Sequence, residues 1–232
     1  MLLEQRKKCI LKYIMQNGGG SITQLSELLK VSEMTVRRDL KILDDEGLIQ
    51  RTHGGALQAN NSSHEPRYDE KKGFHHEVKE TIARYAVEHF VKQDSVIIME
   101  GGTTVTCMAN YLNQCQRLTV VTNGLNTLGM LKSQIPHTSV LCCGGMLRDI
   151  SHTFVGPLAE QFFEGIHAHY VFFSTSGLAM DHGFTDPNML EVQVKKAMCR
   201  AAKTKVMLVD STKFGKWSLQ TTFAIREIDI LI

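Results

Sequence analysis

Residues 31–40 read V-S-E-M-T-V-R-R-D-L, and their side chains are suited to gripping a polyanion. On a helix, Val36, Leu40 and Leu43 recur at i, i+4 and i+7 as an inward stripe, which leaves Thr35, Arg37, Arg38 and Lys41 facing outward or sideways. Two guanidiniums and an ammonium near a helix start can clamp phosphates or reach guanine edges, and the hydroxyl and methyl of Thr35 suit other base edges. Ser32 can cap this helix by accepting from an orphan amide of the first turn. A solvated charged face carries the same residue types, so the neighbouring elements must decide between the two readings.

A second group of polar residues gathers where short apolar runs end: Glu100-Gly101-Gly102-Thr103-Thr104, Thr122-Asn123, Gly144-Gly145, Ser174-Thr175-Ser176-Gly177 and Asp210-Ser211-Thr212-Lys213. In the first, two glycines let the backbone approach an anion, Thr103 and Thr104 supply hydroxyls, and the amides opening the next helix point to the same place. Such residues also serve strand-to-helix turns for geometry alone. Lys213, just beyond Asp210 on the same rim, can neutralise a second phosphate charge or can be a surface lysine before a glycine turn. Glu191 and Lys195 lie one helical turn apart, as a surface pair or as ligands.

The elements that must position the arginine helix are short. Residues 6–17 carry Ile10, Leu11, Ile14 and Met15 at helical spacing and stop at Gly18-Gly19-Gly20. Residues 24–30, capped by Thr23 or Ser21, turn Leu25, Leu28 and Leu29 to one side, and Val31-Ser32 leads straight into the arginine helix. Two short helices joined so tightly make a helix-turn-helix. Gly47 ends the third helix, and strands at 48–52 and 56–58 flank His53-Gly54-Gly55, whose glycines permit the positive φ of a tight turn. Arg51 and His53 then sit on a projecting wing, which in this setting touches the DNA backbone or minor groove. A small helical domain with a hairpin for protein contacts is the blander alternative.

Residues 58–74 are polar and without periodicity, a linker of which part can pack on the body. A helix over 77–91 has Val78, Ile82, Tyr85, Ala86 and Phe90 as its apolar face. Strands at 95–99, 118–122, 139–143, 170–174, 205–209 and 228–232 then alternate with helices at 104–112, 126–132 and 158–165. That alternation implies an α/β body with a mostly parallel sheet covered on both faces, which binds ligands at the carboxyl ends of its strands. The expected domains are 1–57, a linker at 58–75, and 76–232.

Of 26 Lys/Arg and 24 Asp/Glu in 232 residues, nine and seven fall in residues 1–57, so the net +2 belongs to the head. The excess is small, so non-specific affinity should be modest and salt-dependent, with specificity coming from placement and dimerisation. No signal peptide or membrane span is expected, which points to the cytoplasm. The six cysteines read as reduced core thiols without repeated spacing. Cys142 and Cys143, adjacent on a predicted strand, should face opposite ways. His75-His76 and His167/His169 lack a Cys or carboxylate partner at a zinc-like interval, so neither a metal site nor a cofactor is expected.

The arrangement V-S-E-M-T-V-R-R-D-L, then L-D-D-E-G-L-I, then R-T-H-G-G-A resembles the winged helix-turn-helix of DeoR-type bacterial transcriptional regulators over about the first 57 residues. The resemblance implies operator binding, usually as a repressor, through Ser32, Thr35, Arg37, Arg38, Lys41, Arg51 and His53. From Glu77 onward the chain resembles the DeoR sensor domain, similar in fold to ribose-5-phosphate isomerase, through E-G-G-T-T, V-V-T-N, L-E-V-Q-V-K and V-D-S-T-K-F-G. This implies a phosphorylated-sugar effector, with its binding carried onto Gly102, Thr103, Thr104, Asn123, Lys195 and Lys213; Glu100, Gly145, Glu191 and Asp210 complete the candidate set at the same strand ends, and a homo-oligomer, either dimer or tetramer, is expected. Two departures stand out. The loop opens with Glu100 where the family usually has Asp, and the chain stops at Ile232 where relatives usually continue, as a truncated chain would.

The competing expectation is a sugar-phosphate isomerase with a DNA-binding appendage. Isomerisation needs a general base, and the segment Ser174-Thr175-Ser176-Gly177-Leu178-Ala179 holds no carboxylate where those isomerases cluster acids. Glu100, Glu191 and Asp210 remain as bases for that reading.

Overall fold

The computed structural model describes residues 2–45, 48–58, 65–115, 117–135 and 138–232, in two units, Met1–Glu65 and Pro66–Ile232. The first contains α1 (Leu3–Asn17), β1 (Gly19–Ser21), α2 (Ile22–Leu29), α3 (Glu33–Asp45), β2 (Ile49–Thr52) and β3 (Gly55–Gln58). Ile10, Ile14, Ile22, Leu25, Leu29, Val36, Leu40 and Leu43 bury into one core, so the expected stripe of α3 is its inner face. Leu28 departs from expectation: α2 turns Ile22, Leu25 and Leu29 inward and leaves Leu28 exposed. Of the two possible caps for α2, Ser21 is used. Its Oγ accepts from Gln24 N at 3.2 Å while Gln24 Oε1 accepts from Ser21 N at 2.9 Å, a reciprocal capping box. The stop expected at Gly47 lies outside the described residues.

The glycine run after α1 does more than end a helix. Gly18 takes the left-handed cap at φ 73, and Gly19 to Ser21 form a strand antiparallel to β3, giving sheet order β1-β3-β2. This strand also changes the reason for the wing glycines. Neither Gly54 nor Gly55 has positive φ; instead a Cβ on Gly55 would lie 2.1 Å from Gly20 O, so the close approach of β1 is what demands glycine there.

The second unit runs α4 (Tyr68–Gly73), α5 (His76–Phe90), β4 (Val96–Met99), α6 (Thr103–Cys107), β5 (Thr119–Thr122), α7 (Leu125–Gln134), β6 (Ser139–Cys142), β7 (Met146–Arg148), β8 (Thr153–Val155), α8 (Pro157–Phe162), β9 (Ala168–Phe173), β10 (Gly177–Ala179), β11 (Gly183–Asp186), α9 (Met189–Arg200), β12 (Ala202–Met207), β13 (Gln220–Phe223) and β14 (Ile230–Leu231). Six strands in the order β14-β12-β9-β4-β5-β6 pair in parallel throughout. Alternation along them feeds two cores. Ile98, Val121, Val171, Phe173 and Met207 pack on one face with α8 and α9 residues, and Ile97, Met99, Val120, Phe172 and Val206 on the other with α5 and α6 residues.

Several short strands had no expected counterpart: the β7–β8 hairpin and the antiparallel sheet β10-β11-β13. On α5, Val78 and Tyr85 are exposed, and Ala83, Ala86 and Val87 form the buried stripe with Lys79. Part of the expected linker belongs to the body: Tyr68 is 3% exposed, stacks on His152, and its N–H donates to Ile150 O at 2.7 Å. Strand β6 ends at Cys142, so strand alternation does not reach Cys143 and the two thiols interact rather than facing apart. That contact draws Cys142 down to about 6 and, with burial, pushes Cys143 up.

Candidate functional site

The helix-turn-helix presents its polar face on α3. Ser32 Oγ accepts from Thr35 N at 3.3 Å and shares a 2.9 Å hydrogen bond with Thr35 Oγ1, so the cap and the neighbouring hydroxyl are held together. Arg37 and Arg38 are exposed, as is Lys41. Arg37 lies 4.0 Å from Glu33 Oε2, a weak solvent-facing pair, while Arg38 and Lys41 make no hydrogen bond or ion pair among the described residues. Arg51 and His53 are exposed on the wing, and the Arg51 N–H donates to Asp44 Oδ1 at 3.0 Å, which ties the wing to α3. Asp39, a residue that sequence reasoning passed over, is buried and accepts from Arg6 Nε at 2.7 Å and a second guanidinium N–H at 3.0 Å. This fork fixes the rotation of α3 against α1 and so aims Arg37 and Arg38.

The second site lies at the carboxyl ends of the parallel strands. Gly101 N donates to Asn123 Oδ1 at 3.0 Å, and Asn123 Nδ2 donates to Phe154 O at 3.2 Å, so this side chain stitches the ends of β4 and β5 to β8. Gly102 caps α6 with φ −70, a value open to any residue, yet a Cβ there would lie 1.9 Å from Ser174 Oγ and 2.7 Å from Glu100 Oε2. The loop is glycine because side chains press on it. Thr104 is buried and Thr103 partly open at the helix start. Gly145 serves a turn, at φ 108 and packed on Val155 O and Ala159.

Glu191 and Lys195 are not a surface pair. Glu191 Oε1 accepts from Arg148 at 2.7 Å and Thr153 Oγ1 at 2.8 Å. Lys195 Nζ donates to Asp186 Oδ2 and to Ser174 O, both at 2.8 Å, and stands 3.9 Å from Glu100 Oε1. Asp186 also accepts from Ser176 N and Oγ, each at 3.1 Å, and from Thr222 Oγ1 at 2.8 Å. Burial pushes the Glu100 carboxyl up, with Lys195 only partly offsetting it. Burial acts the same way on Glu191, but Lys195, Ser151, Arg148 and Thr153 outweigh it and hold this carboxyl low. For Lys195, burial is outweighed by Asp186, Glu100 and Glu191, and its pKa is raised.

Next to this network lies a cationic rim. Asp210 accepts from Thr212 N at 2.9 Å and from Thr212 Oγ1; burial raises its carboxyl less than Lys213 and Thr212 lower it. Burial lowers Lys213, and the charge of Lys71 adds to that. Lys79, 5% exposed on α5, donates to Lys71 O and is drawn down to about 8 by burial and by Lys213. Lys216 falls to about 8 for the same two reasons. Such mutually repelling ammoniums, Lys79 buried and Lys213 and Lys216 partly buried, are stabilised by an anion. Of these, sequence reasoning found Lys213 and missed Lys79, Asp186 and Arg148. Lys79 sits in the charged run H-E-V-K-E, which reads as solvent face, and Asp186 and Arg148 end strands too short to show alternation.

His76, thought to lack metal-type partners, has them in space: Glu80 Oε1 is 3.8 Å from His76 Nε2, and Cys107 of α6 completes a trio. Helical i,i+4 spacing supplies the first, and packing of α6 on α5 the second. Among the described residues, no helix is long and apolar enough to cross a membrane.

Two family models match the chain: the DeoR-like helix-turn-helix domain over residues 6–62 and the DeoR C terminal sensor domain over residues 74–232. The chain belongs to the DeoR family. This DeoR-family chain is 34% identical over 228 residues to the HTH-type transcriptional regulator GolR of Listeria innocua, covering 98% of this chain and 89% of that protein. It is 33% identical to the HTH-type transcriptional regulator GlpR of Haloferax volcanii, covering 100% and 90%. To the lactose phosphotransferase system repressor of Streptococcus mutans it is 34% identical, covering 100% and 92%. The ribose 5-phosphate isomerase from Plasmodium falciparum overlays 60% of this chain and 53% of its own with a TM-score of 0.44 and 10% identity. The family models, not that likeness, carry the assignment: as a DeoR-family protein the chain is a DNA-binding transcriptional regulator rather than an enzyme.

Proposed function

We propose that this DeoR-family regulator represses a carbohydrate-metabolism operon in the cytoplasm and releases its operator when a phosphorylated sugar binds the C-terminal domain. The observation that carries the reading is the pairing of two chemistries at the strand ends. Buried Glu100, whose Oε1 stands 3.9 Å from Lys195 Nζ, offers an acceptor for a hydroxyl, Asp186 and Glu191 hold Lys195 and Arg148 around it, and Lys79 and Lys213 are cations for a phosphate. The α6 N-terminus at Gly102 and Thr103 adds amides for the same anion. Relatives named as a repressor of a lactose system and as a putative repressor of an aga operon support the sign of the response.

The protein binds DNA as a homo-oligomer, because one head with so small a charge excess holds DNA weakly and two recognition helices must match two half-sites. An effector that prefers the non-binding arrangement by about 1.4 kcal/mol lowers operator affinity tenfold. A thermal-shift panel of phosphorylated sugars, followed by operator mobility shifts with and without the hits, tests this. The expected result is a hit that stabilises the protein and weakens the shift. If no phosphosugar stabilises the protein, or if a hit leaves operator affinity unchanged, the reading fails.

A further inference from the structure

We infer that His76, Glu80 and Cys107 form a binding site for a zinc-class divalent transition-metal ion, on the α5 face that packs against α6. The three candidate donor atoms, an imidazole nitrogen, a carboxylate oxygen and a thiol sulfur, lie within 4.8 Å of one another. A tetrahedral ion with bonds of about 2.0 to 2.3 Å needs its ligand atoms roughly 3.3 to 3.6 Å apart. His76 Nε2 and Glu80 Oε1 already stand at 3.8 Å, so closure asks only a small rotation of side chains.

The donor set selects the ion. One nitrogen, one oxygen and one sulfur suit zinc, cobalt or nickel, and the sulfur disfavours magnesium and calcium. The surroundings also resemble the outer support of a metal site. Tyr111 OH donates to Glu80 Oε2 at 2.6 Å and Asn110 Nδ2 to Glu80 Oε1 at 3.0 Å, which fixes the carboxylate plane. Cys107 is buried and His76 is exposed, so the ion enters from solvent on the His76 side and displaces the thiol proton to bind sulfur. Three protein donors leave one tetrahedral position to water or an added anion. Cys107 also closes α6, and its Sγ donates to Thr103 O at 3.3 Å, so an ion on the sulfur would bear directly on the helix that opens at Gly102.

The test uses the full chain, reduced with a non-chelating phosphine, in a competition titration of Zn²⁺ against a chromophoric chelator, and Co²⁺ absorption for the ligand set. We expect one Zn²⁺ per chain and a near-ultraviolet thiolate-to-cobalt band. That band should be absent in Cys107→Ser and retained in Cys142→Ser/Cys143→Ser, and His76→Ala should weaken zinc by about tenfold or more. Absence of stoichiometric zinc, a band that survives Cys107→Ser, or one that disappears in the Cys142/Cys143 variant overturns the inference. Should Cys107→Ser not fold, exposed His76 still decides: unchanged zinc affinity in His76→Ala overturns it too.

Discussion

Lys195 Nζ donates to Asp186 Oδ2 at 2.8 Å, and both side chains are at least nine-tenths buried. With Glu100 3.9 Å away on the other side, one ammonium serves two carboxylates. Removing it leaves uncompensated charge in a low-dielectric site, which costs about 3 to 5 kcal/mol. Lys195→Met should lower the unfolding free energy of the C-terminal domain, extrapolated from urea titration, by that much; a loss near that of an exposed pair, below about 1 kcal/mol, would contradict the burial of the pair.

Glu191 and Glu100 should respond to acid in opposite ways. Glu191 is held below its unfolded value, so its contribution is complete above that value and is lost as pH falls through the lower, folded one. Glu100 is pushed up, so its contribution is complete below the unfolded value and lost as pH rises through the folded one. Glu191→Gln should therefore flatten the acid limb of a stability-against-pH curve. Glu100→Gln should leave that limb in place and cost less at neutral pH.

Arg37→Ala combined with Arg38→Ala should abolish the specific operator shift while leaving the far-ultraviolet circular dichroism unchanged, since both side chains are exposed. Lys41→Ala should instead weaken binding to all sequences and reduce the salt slope by about one. Retained specific binding in the double variant would remove α3 from the reading role.

Two glycine-to-alanine changes should separate the two domains. Gly55→Ala places a Cβ 2.1 Å from backbone Gly20 O, so it should destabilise the winged domain and its DNA binding. Gly102→Ala meets Ser174 Oγ at 1.9 Å, so it should impair the effector response with operator binding intact. Calorimetry and mobility shifts on both variants check the partition.

Lys79 sets a pH dependence for anion binding. With its pKa near 8 it loses charge just above neutrality, and an anion favours the charged form. Affinity for a phosphosugar should therefore fall as pH rises through about 8, with proton uptake on binding. Lys79→Met should bind more weakly and show a flatter profile in titration calorimetry.

The legible parts of this chain were a helical stripe and the unbroken apolar runs of the parallel sheet. The stripe Val36, Leu40, Leu43 could be read because helical burial repeats at a fixed spacing, and the runs ending at Glu100, Thr122 and Asp210 because a strand buried on both faces is apolar throughout. Strands β1, β7, β8, β10 and β11 are each three or four residues long, too short to repeat anything, and they carry Gly55's neighbour, Arg148, Thr153 and Asp186. The effector candidates were legible from position along the sheet, but their partners were not. Lys195 pairs with Asp186 nine residues back, at the end of β11, a spacing that no helical or strand period announces, and Lys79 is buried because α4 and α6 cover it. The wing glycines were found for the wrong reason, since the crowding strand β1 is invisible in a run of three glycines.

Phe172 and Phe173 are consecutive, fully buried, and anchor opposite cores of the parallel sheet. A strand so placed shields its amides from exchange on both sides and has no face that can open alone. Its hydrogens should be the last in the chain to exchange with deuterated solvent, at a rate that reports complete rather than partial opening. The two cores are therefore one cooperative unit, and damage on the α9 side should be felt as lost protection beneath α5.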